Sequence, residues 1–344
     1  MKAKFIEFPL AGSARISEQD IKTPGAGDVL VEAEASLISC GTERHFLMNA
    51  PQYPFQPGYS LVGRIAAIGA DAHDFKVGDR VFAIATHGSH VVCDQRFVFR
   101  IPDDMAAQDA VFASVAAMAI YAAGLARYRL GDPVMVIGQG LIGLLTTQIL
   151  RLSGALPIIG IDIVDSRLKL SAQFGADFCF HANDKAGLDA LLATLPGGGV
   201  AATIEFSGGG QALETAIHAC RRRGRIVAGS LGNGEGQTDI YGLPFLKGLQ
   251  LIGAYFNARP VHLRQVEATS PLEWPVRPYD GGYYTDNEVS TCGSDYAQFF
   301  TMVDLGRLDL SSLVNAVVPC DEAPEVFARL PKSDFLGVVI KWKN

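Results

Sequence analysis

Residues Pro133–Asp162, PVMVIGQGLIGLLTTQILRLSGALPIIGID, decide the fold of this chain. The apolar run at 134–137 predicts a strand buried on both faces, and the pattern G-x-G-x-x-G follows at once at 138–143. Apolar residues at helical spacing then continue to Gly154, a residue type that commonly ends helices. A second apolar run ends in Asp162. Strand, glycine turn, helix, strand and acid in this order predict a unit that binds a dinucleotide.

The three glycines of this turn have separate physical roles in a dinucleotide site. Gly138 makes a tight turn, Gly140 lets a pyrophosphate approach the backbone, and Gly143 allows close helix–strand packing. The amino end of the helix offers unpaired N–H groups and a positive dipole end to the phosphates. The residues predicted to bind the cofactor are Gly138, Gly140, Leu141, Ile142, Gly143, Asp162, Ile163, Arg167, Ser207, Gly208 and Ser230.

Asp162 bears on the choice between NAD and NADP. Its carboxylate would accept hydrogen bonds from ribose hydroxyls and repel a 2′-phosphate. Ile163 and Val164 follow it, and Arg167 is the nearby cation that would instead favour NADP. We therefore expect NAD as the cofactor in preference to NADP. A glycine-rich turn in another α/β fold, such as that of a methyltransferase, is the alternative.

The composition is typical of a globular protein with a large core. Hydrophobic residues make up 49% of the 344, charged residues make up 19%, and the net charge is −7. The negative charge argues against nucleic acid or an anionic membrane as a partner, and the Arg221–Arg223 run is predicted to complement the dipole at the end of a helix. The sequence shows no signal-peptide core, and its six cysteines form no C-x-x-C pair. We therefore expect a cytoplasmic protein with free thiols.

The order of segments predicts two kinds of domain in an α/β fold. Residues 1–115 have short strands separated by Pro and Gly turns, which predicts an antiparallel, barrel-like first domain. Residues 116–258 alternate strand and helix patterns, which predicts a doubly wound Rossmann sheet that binds NAD(P). Residues 259–344 are predicted to hold an insertion and then to return to the first domain.

Several motifs outside the nucleotide unit resemble one superfamily along nearly the whole chain. They are PGAGDVLVEAEASLIS, CGTERH, PGYSLVGRIAAIG, VGDRVFA, GRLDLSSLV and DEAPEVFARL. Together with the domain order they resemble the medium-chain dehydrogenase/reductase superfamily, which implies a GroES-like β-barrel catalytic domain followed by a Rossmann domain. Within it, SLISCGTE and PGYS look like a subgroup of bacteriochlorophyllide dehydrogenase-like and sugar-linked oxidoreductases. The resemblance also implies a homodimer or homotetramer, with dimer contacts near Gln250–Phe256.

The same resemblance indicates how the catalytic zinc of this superfamily would be held. Cys40 matches the first zinc ligand, but the second motif has become Gly58-Tyr59-Ser60, and 112–115 offers no Cys, Asp or Glu at the third position. Glu43 and His45 are the remaining candidate ligands beside Cys40, and neither matches a usual ligand position. A catalytic zinc needs three protein ligands and one open position. We therefore expect no catalytic zinc and no metal site, and Cys40 is alternatively a small buried residue without chemistry.

Without zinc, side chains must polarise the substrate oxygen and move its proton. The residues predicted to be catalytic are Cys40, Thr42, Glu43, His45 and Tyr59. The Tyr59 phenol would polarise the oxygen, or else Tyr59 packs in a core between the domains. Thr42 and His45 would relay the proton, since Thr42 matches the hydroxyl that does so in the superfamily. Glu43 is alternatively a structural acid that binds an arginine.

Two further patterns in the sequence bear on function. His87, His90 and Cys93 lie close in sequence, but residues 90 and 93 of a strand point to opposite faces, which predicts a poor metal site. The segment 264–293 contains Trp274, three tyrosines and a Gly-Gly pair. It is interpreted as an aromatic lid over the substrate cleft, or alternatively as a surface loop or dimer contact.

Three functions remain open from the sequence. The first is an NAD-dependent dehydrogenase that interconverts a small-molecule secondary alcohol, such as a polyol or sugar, and its ketone. The second is a zinc-independent reductase of quinones or enones. The third is a nucleotide-binding sensor without catalysis.

Overall fold

The computed structural model describes residues 2–230, 241–255 and 291–343. The chain divides into two compact units, one formed by Met1–Ser114 with Tyr296–Asn344 and the other by Val115–Asp295. The sequence-based boundary at residue 258 borders the undescribed range 256–290 and stays a prediction. Most of the predicted aromatic lid, including Trp274 and the three tyrosines, also lies outside the described residues.

The described residues of the two units form fifteen strands and ten α-helices. The described strands are β1 (Lys2–Glu7), β2 (Arg15–Asp20), β3 (Asp28–Ser39), β4 (Leu61–Ile68), β5 (Arg80–Ala83), β6 (His90–Asp94), β7 (Val98–Arg100), β8 (Val134–Ile137), β9 (Ile158–Asp162), β10 (Phe178–His181), β11 (Val200–Glu205), β12 (Cys220–Ala228), β13 (Gln250–Gly253), β14 (Val314–Pro319) and β15 (Gly337–Lys341). The described α-helices are α1 (Cys40–Asn49), α2 (Ala107–Ala110), α3 (Ala113–Ala126), α4 (Leu141–Leu152), α5 (Asp165–Phe174), α6 (Lys185–Thr194), α7 (Gly210–Ala219), α8 (Leu243–Lys247), α9 (Cys292–Asp304) and α10 (Ala323–Arg329).

Strand β3 is the centre of the first unit. It pairs antiparallel with β4, β6 and β15. Six strands of this seven-stranded sheet follow the order β14-β15-β3-β4-β5-β7, and the seventh, β6, pairs with β3 outside that order. The first residues of β3 alternate between partly and fully buried positions, as a period of two predicts, and every residue from Ala35 onward is buried. The β14–β15 pair is parallel, with α10 as the crossover, while β1 and β2 form a separate hairpin.

Helix α1 begins directly after β3, so the strand fixes where the helix starts. Ser39 ends β3 and Cys40 opens α1. The buried end of β3 therefore places the residues of the CGTERH motif at the sheet. Behind them lies an apolar cluster that includes Ile38, Leu47 and Phe327.

The second unit is the predicted doubly wound sheet. Its six parallel strands have the order β10-β9-β8-β11-β12-β13. Strands β8 and β9 have the bounds predicted from the apolar runs, and α4 ends at Leu152, before Gly154 at φ +83°. The chain winds outward from β8 in one direction and from β11 in the other, so the carboxyl ends of these two neighbours form the switch point where ligands bind in such folds. The α/β fold class predicted from the sequence is confirmed.

The interpretation of the Arg221–Arg223 run was wrong. Helix α7 ends at Ala219, and the arginines lie in a register shift at the start of β12, where Arg223 has φ +62°. Arg221 binds the Asp132 carboxylate at 2.8 Å, and Arg222 Nη1 donates to the Leu246 carbonyl at 3.1 Å. At least two of these cations thus tie the strand to its neighbours, a role that helix-end statistics did not predict.

We predict that Gly143→Ala destabilises the second unit. An alanine Cβ would lie 1.9 Å from the Gly138 carbonyl oxygen, and such overpacking costs about 1–3 kcal/mol, occasionally more. The matched control is Gly124→Ala in α3, where an added Cβ meets nothing within 4 Å and replacement of a helical glycine gains up to about 1 kcal/mol. Thermal unfolding without cofactor, followed by circular dichroism, compares the two. Equal melting temperatures for both variants would contradict this close packing.

Candidate active site

Cys40 is enclosed by the apolar core of the first unit. Its side chain is 0% exposed, belongs to the same cluster as Ile38 and Leu47, and its Sγ donates to the Ile38 carbonyl at 3.8 Å. The thiol also lies close enough to Tyr59 to influence the pKa of its phenol. The placement favours the interpretation of Cys40 as a small buried residue.

Near the second and third zinc-ligand positions, serine side chains make hydrogen bonds to backbone carbonyls. Ser114 Oγ donates to the Tyr59 carbonyl at 2.8 Å, and Ser60 Oγ donates to the Val111 carbonyl. Within residues 2–230, 241–255 and 291–343, no group of three His, Cys, Asp or Glu could hold a metal ion. The residues at these positions therefore do not fit the catalytic zinc of the superfamily.

Glu43 is a buried carboxylate, and a histidine is its partner. It is 1% exposed, its Oε1 accepts the Ser39 backbone N–H at 2.9 Å, and its Oε2 lies 2.8 Å from His87 Nε2. The alternative interpretation, that Glu43 binds an arginine, was wrong. Because both oxygens are already bound, Glu43 is placed to orient neighbouring groups.

The Tyr59 hydroxyl is buried without a hydrogen-bond partner among the described residues. Burial raises the pKa of the phenol above its usual value, and the nearby charge of Glu43 raises it further. The side chains of Ser39 and Thr42 are close enough to lower that pKa in part, although neither reaches bonding geometry. The phenol therefore stays protonated at neutral pH, with an O–H ready to donate. An unsatisfied buried hydroxyl costs free energy, which marks this position for a ligand.

Thr42 and His45 lie one turn apart on α1, and both are half-buried. Residues three apart share a helix face, so their side chains point to the same side of α1. The His45 ring packs edge-on to Phe46, with ring centroids 5.7 Å apart. The structure thus brings Thr42 to Tyr59 and places His45 on the adjoining turn.

Sequence reasoning missed the role of His87. It considered this residue only for a metal pattern with His90 and Cys93, and these two lie on β6. His87 is 0% exposed and pairs with a residue 44 positions away. No spacing in the sequence signals such a pair.

The glycine turn of the second unit fits a dinucleotide. Gly138 has φ +89°, and a Cβ there would lie 2.9 Å from the Ser207 backbone nitrogen. Gly140 precedes α4 without a side-chain cap, and an added Cβ there would meet nothing within 4 Å. The first N–H groups of α4, at Leu141 and Ile142, thus face open space where a pyrophosphate can bind.

Asp162 occupies the end of β9 beside this turn. It is 6% exposed, its Oδ2 accepts the Gln139 N–H at 2.6 Å, and its Oδ1 accepts the Val164 N–H at 2.9 Å. Each carboxylate oxygen retains a further lone pair for a ribose hydroxyl. Ile163 is 70% exposed, and Arg167 lies in the first turn of α5.

Glu205 is a second residue that the sequence analysis missed. It ends β11 and is 4% exposed. Its Oε1 accepts hydrogen bonds from the backbone and side chain of Ser207 and from the Gly208 N–H, and its Oε2 accepts from Ser230 Oγ at 3.2 Å. Three predicted cofactor-binding residues are therefore held by one buried carboxylate. An acid at a strand end before Ser-Gly-Gly is the sequence signal that could have identified it.

Two family models match the chain in the order of its two units. Residues 25–118 match the alcohol dehydrogenase GroES-like domain, and residues 142–269 match the zinc-binding dehydrogenase domain. Among the described helices, none is long and apolar enough to cross a membrane.

Curated relatives and solved structures agree with these models. The chain is 27% identical to L-threonine 3-dehydrogenase of Pyrococcus horikoshii over 70% of this chain and 79% of the relative, and 25% identical to sorbitol dehydrogenase of Bacillus subtilis over 63% and 74%. A structure from Sinorhizobium meliloti, described as a zinc-binding dehydrogenase bound to NADP, has TM-score 0.78 and 18% identity, with 99% of each chain covered. An alcohol dehydrogenase from Escherichia coli complexed with NADH has TM-score 0.79 and 19% identity, again with 99% of each chain covered. The two structural likenesses establish the fold.

The GroES-like model falls on the first unit, and the zinc-binding dehydrogenase model falls on the second. The chain therefore belongs to the medium-chain dehydrogenase/reductase superfamily, as an oxidoreductase of its alcohol dehydrogenase-like branch.

Proposed function

We propose that this protein is an NAD(H)-dependent oxidoreductase that interconverts a secondary alcohol and its ketone without a catalytic zinc. The observation that carries the proposal is the buried hydroxyl of Tyr59, which has no hydrogen-bond partner in the part of the chain that the structure describes and stands where the superfamily has a zinc-binding histidine. Threonine and sorbitol dehydrogenases among the relatives support an alcohol as substrate. We expect a polyol, a sugar or a hydroxyalkyl compound.

The substrate oxygen is handled by side chains of the first unit. The Tyr59 O–H donates a hydrogen bond to the carbonyl oxygen and stabilises the negative charge that develops there. When the alcohol is oxidised, its proton passes to the Thr42 hydroxyl and on to a ring nitrogen of His45. Glu43 orients the side chains that surround the substrate oxygen, and Cys40 fills the apolar core behind them.

The second unit supplies the cofactor site. When bound, the nicotinamide accepts or donates the hydride. The α4 amides and Gly140 hold the pyrophosphate, Asp162 binds the adenosine ribose, and the turn ordered by Glu205 completes the site. The NADP- and NADH-bound neighbours support a nicotinamide cofactor, and the buried carboxylate of Asp162 supports NAD.

We further propose a homodimer through β13 and α8, or a homotetramer built from such dimers. Strand β13 is the last strand of the described sheet, and Leu251 on it is 59% exposed. Next to it in the chain, Tyr241 is 81% exposed and Phe245 is 73% exposed. An edge strand beside exposed apolar side chains is suited to pair with a second copy. The free thiols of all six cysteines support a reducing, cytoplasmic location.

We predict that Tyr59→Phe lowers kcat about 100-fold or more, with a small change in KM, because it removes only the donor to the developing charge. Tyr53→Phe is the matched control, since the Tyr53 hydroxyl instead binds the Leu47 carbonyl and the Ala50 N–H. Absorbance assays with NAD and a panel of polyols, sugars and enones measure turnover. Wild-type activity on enones alone would favour the quinone or enone reductase, and an unchanged kcat in Tyr59→Phe would remove the proposed role.

We predict that Asp162→Ala weakens NAD binding about tenfold to a hundredfold, because a charge-assisted hydrogen bond contributes about 1.5–3 kcal/mol. The same change should relax the discrimination against NADP, since it removes the repulsive charge. Asp165→Ala is the control, an exposed acid three residues along the chain. Calorimetric titration with each cofactor measures both effects. Tighter binding of NADP than NAD by the wild type would show that Asp162 has been misinterpreted.

We predict that the purified protein contains well under one zinc per chain and keeps its activity in chelator. Only Cys40 of the three ligand positions retains a ligating side chain, and its thiol is buried in the core. Elemental analysis and turnover after dialysis against a chelator provide the measurements. A stoichiometric zinc whose removal abolishes activity would contradict this.

A further inference from the structure

A continuous chain of hydrogen bonds runs through the first unit, from the half-buried Trp342 to the buried Glu43. The indole Nε1–H of Trp342 donates to Ser36 Oγ at 2.9 Å, and Ser36 Oγ lies 2.8 Å from His87 Nδ1. His87 Nε2 in turn lies 2.8 Å from Glu43 Oε2. Ser36 and His87 are 0% exposed. Water therefore does not substitute for these bonds, and each must be satisfied within the protein.

The direction of this chain follows from the donors available. An indole N–H can only donate, so Ser36 Oγ is the acceptor toward Trp342 and its own proton is available for His87 Nδ1. The Glu43 carboxylate can only accept, so the ring proton that faces it is on Nε2, and Nδ1 then accepts from Ser36. Glu43 thus sets the tautomer of His87, while the Trp342 donation leaves the Ser36 proton available for Nδ1.

His87 also supports the loop that carries Tyr59. Its backbone N–H donates to the Pro57 carbonyl at 2.9 Å. Gly58 has φ +104°, and a Cβ there would lie 2.6 Å from the His87 nitrogen and 2.8 Å from its Cγ. The loop thus rests directly on His87, and a side chain at position 58 would push them apart.

These contacts join three elements at one residue. Strand β3 contributes Ser36, helix α1 contributes Glu43, and the loop before β4 contributes Gly58. The groups proposed to act on the substrate, Thr42 and Tyr59, are on the last two of these elements.

We propose that His87 is a positioning residue of the active site, which holds Glu43 with its Nε2–H and supports the Tyr59 loop with its ring and backbone. The inference rests on the proposed role of Tyr59 as the donor to the substrate oxygen. His87 acts through Glu43 and does not itself touch the substrate.

Two conservative substitutions of His87 distinguish the contributions of its two ring nitrogens. The amide of His87→Gln reaches the place of Nε2 and can still donate to Glu43, whereas that of His87→Asn reaches only the place of Nδ1, beside Ser36. We expect His87→Gln to keep most of kcat and His87→Asn to lower it about tenfold or more, with NAD affinity unchanged in both. A purely structural histidine would instead give losses of kcat that follow the melting temperature in both variants, which would overturn the proposal.

A double-variant experiment separates this inference from the proposed function. In a Tyr59→Phe background, His87→Asn should cost clearly less than its single-variant factor in kcat, because one of the groups that it positions is already absent. If Tyr59→Phe alone leaves kcat unchanged, the proposed function fails. If Tyr59→Phe is impaired and His87→Asn multiplies the loss by its full single-variant factor, the positioning role fails.

The wild-type protein provides a readout that does not depend on any variant being active. Nitrogen-15 labelling of the histidines, with His87→Gln used to assign the His87 resonances, reports which ring nitrogen carries the proton. We expect the ring proton on Nε2, with Nδ1 as the acceptor from Ser36. A proton on Nδ1 would contradict the direction of the hydrogen-bond chain and with it the positioning role.

Discussion

A carboxylate buried away from water is costly unless hydrogen-bond donors surround it, and this constraint organises both units. Glu43, Asp162 and Glu205 are all nearly inaccessible. Each accepts at least one backbone N–H, at Ser39, at Gln139 and Val164, and at Ser207 and Gly208 respectively. The donors come from turns at the ends of strands. Satisfying each charge therefore fixes the turns that carry the proposed catalytic and cofactor-binding groups.

In the proposed function, a phenol takes the part that a metal ion has in the superfamily. A zinc ion would supply positive charge to the substrate oxygen. Tyr59 would instead supply a hydroxyl whose pKa is raised by burial and by the Glu43 charge, so that it would act as a neutral donor. Its negative neighbour is in turn held by His87. A neutral donor stabilises developing charge less strongly than a divalent cation, which makes precise placement of the phenol more important.

The prediction of the second unit succeeded because its signals are local. The apolar runs at 134–137 and 158–162, the glycine turn and Gly154 each encode a short segment of backbone, and the structure has these elements with the expected bounds. The Arg221–Arg223 run was misinterpreted because its partners, Asp132 and Leu246, are distant in the sequence. Glu205 was missed although most of its partners are local, and only its bond to Ser230 depends on the ends of β11 and β12 lying side by side.

The sequence by itself determined the two-domain α/β organisation and the position of the glycine turn, and it predicted the loss of the usual zinc ligands. Those properties depend on periodicity and on residue types at neighbouring positions. Only the tertiary structure decided that Glu43 binds His87 and that Trp342 binds Ser36, a residue 306 positions away. The register of β15 on β3, which pairs Ile340 with Ser36, brings the indole within reach. Strand pairing depends on the packing of the whole sheet, and no local pattern encodes it.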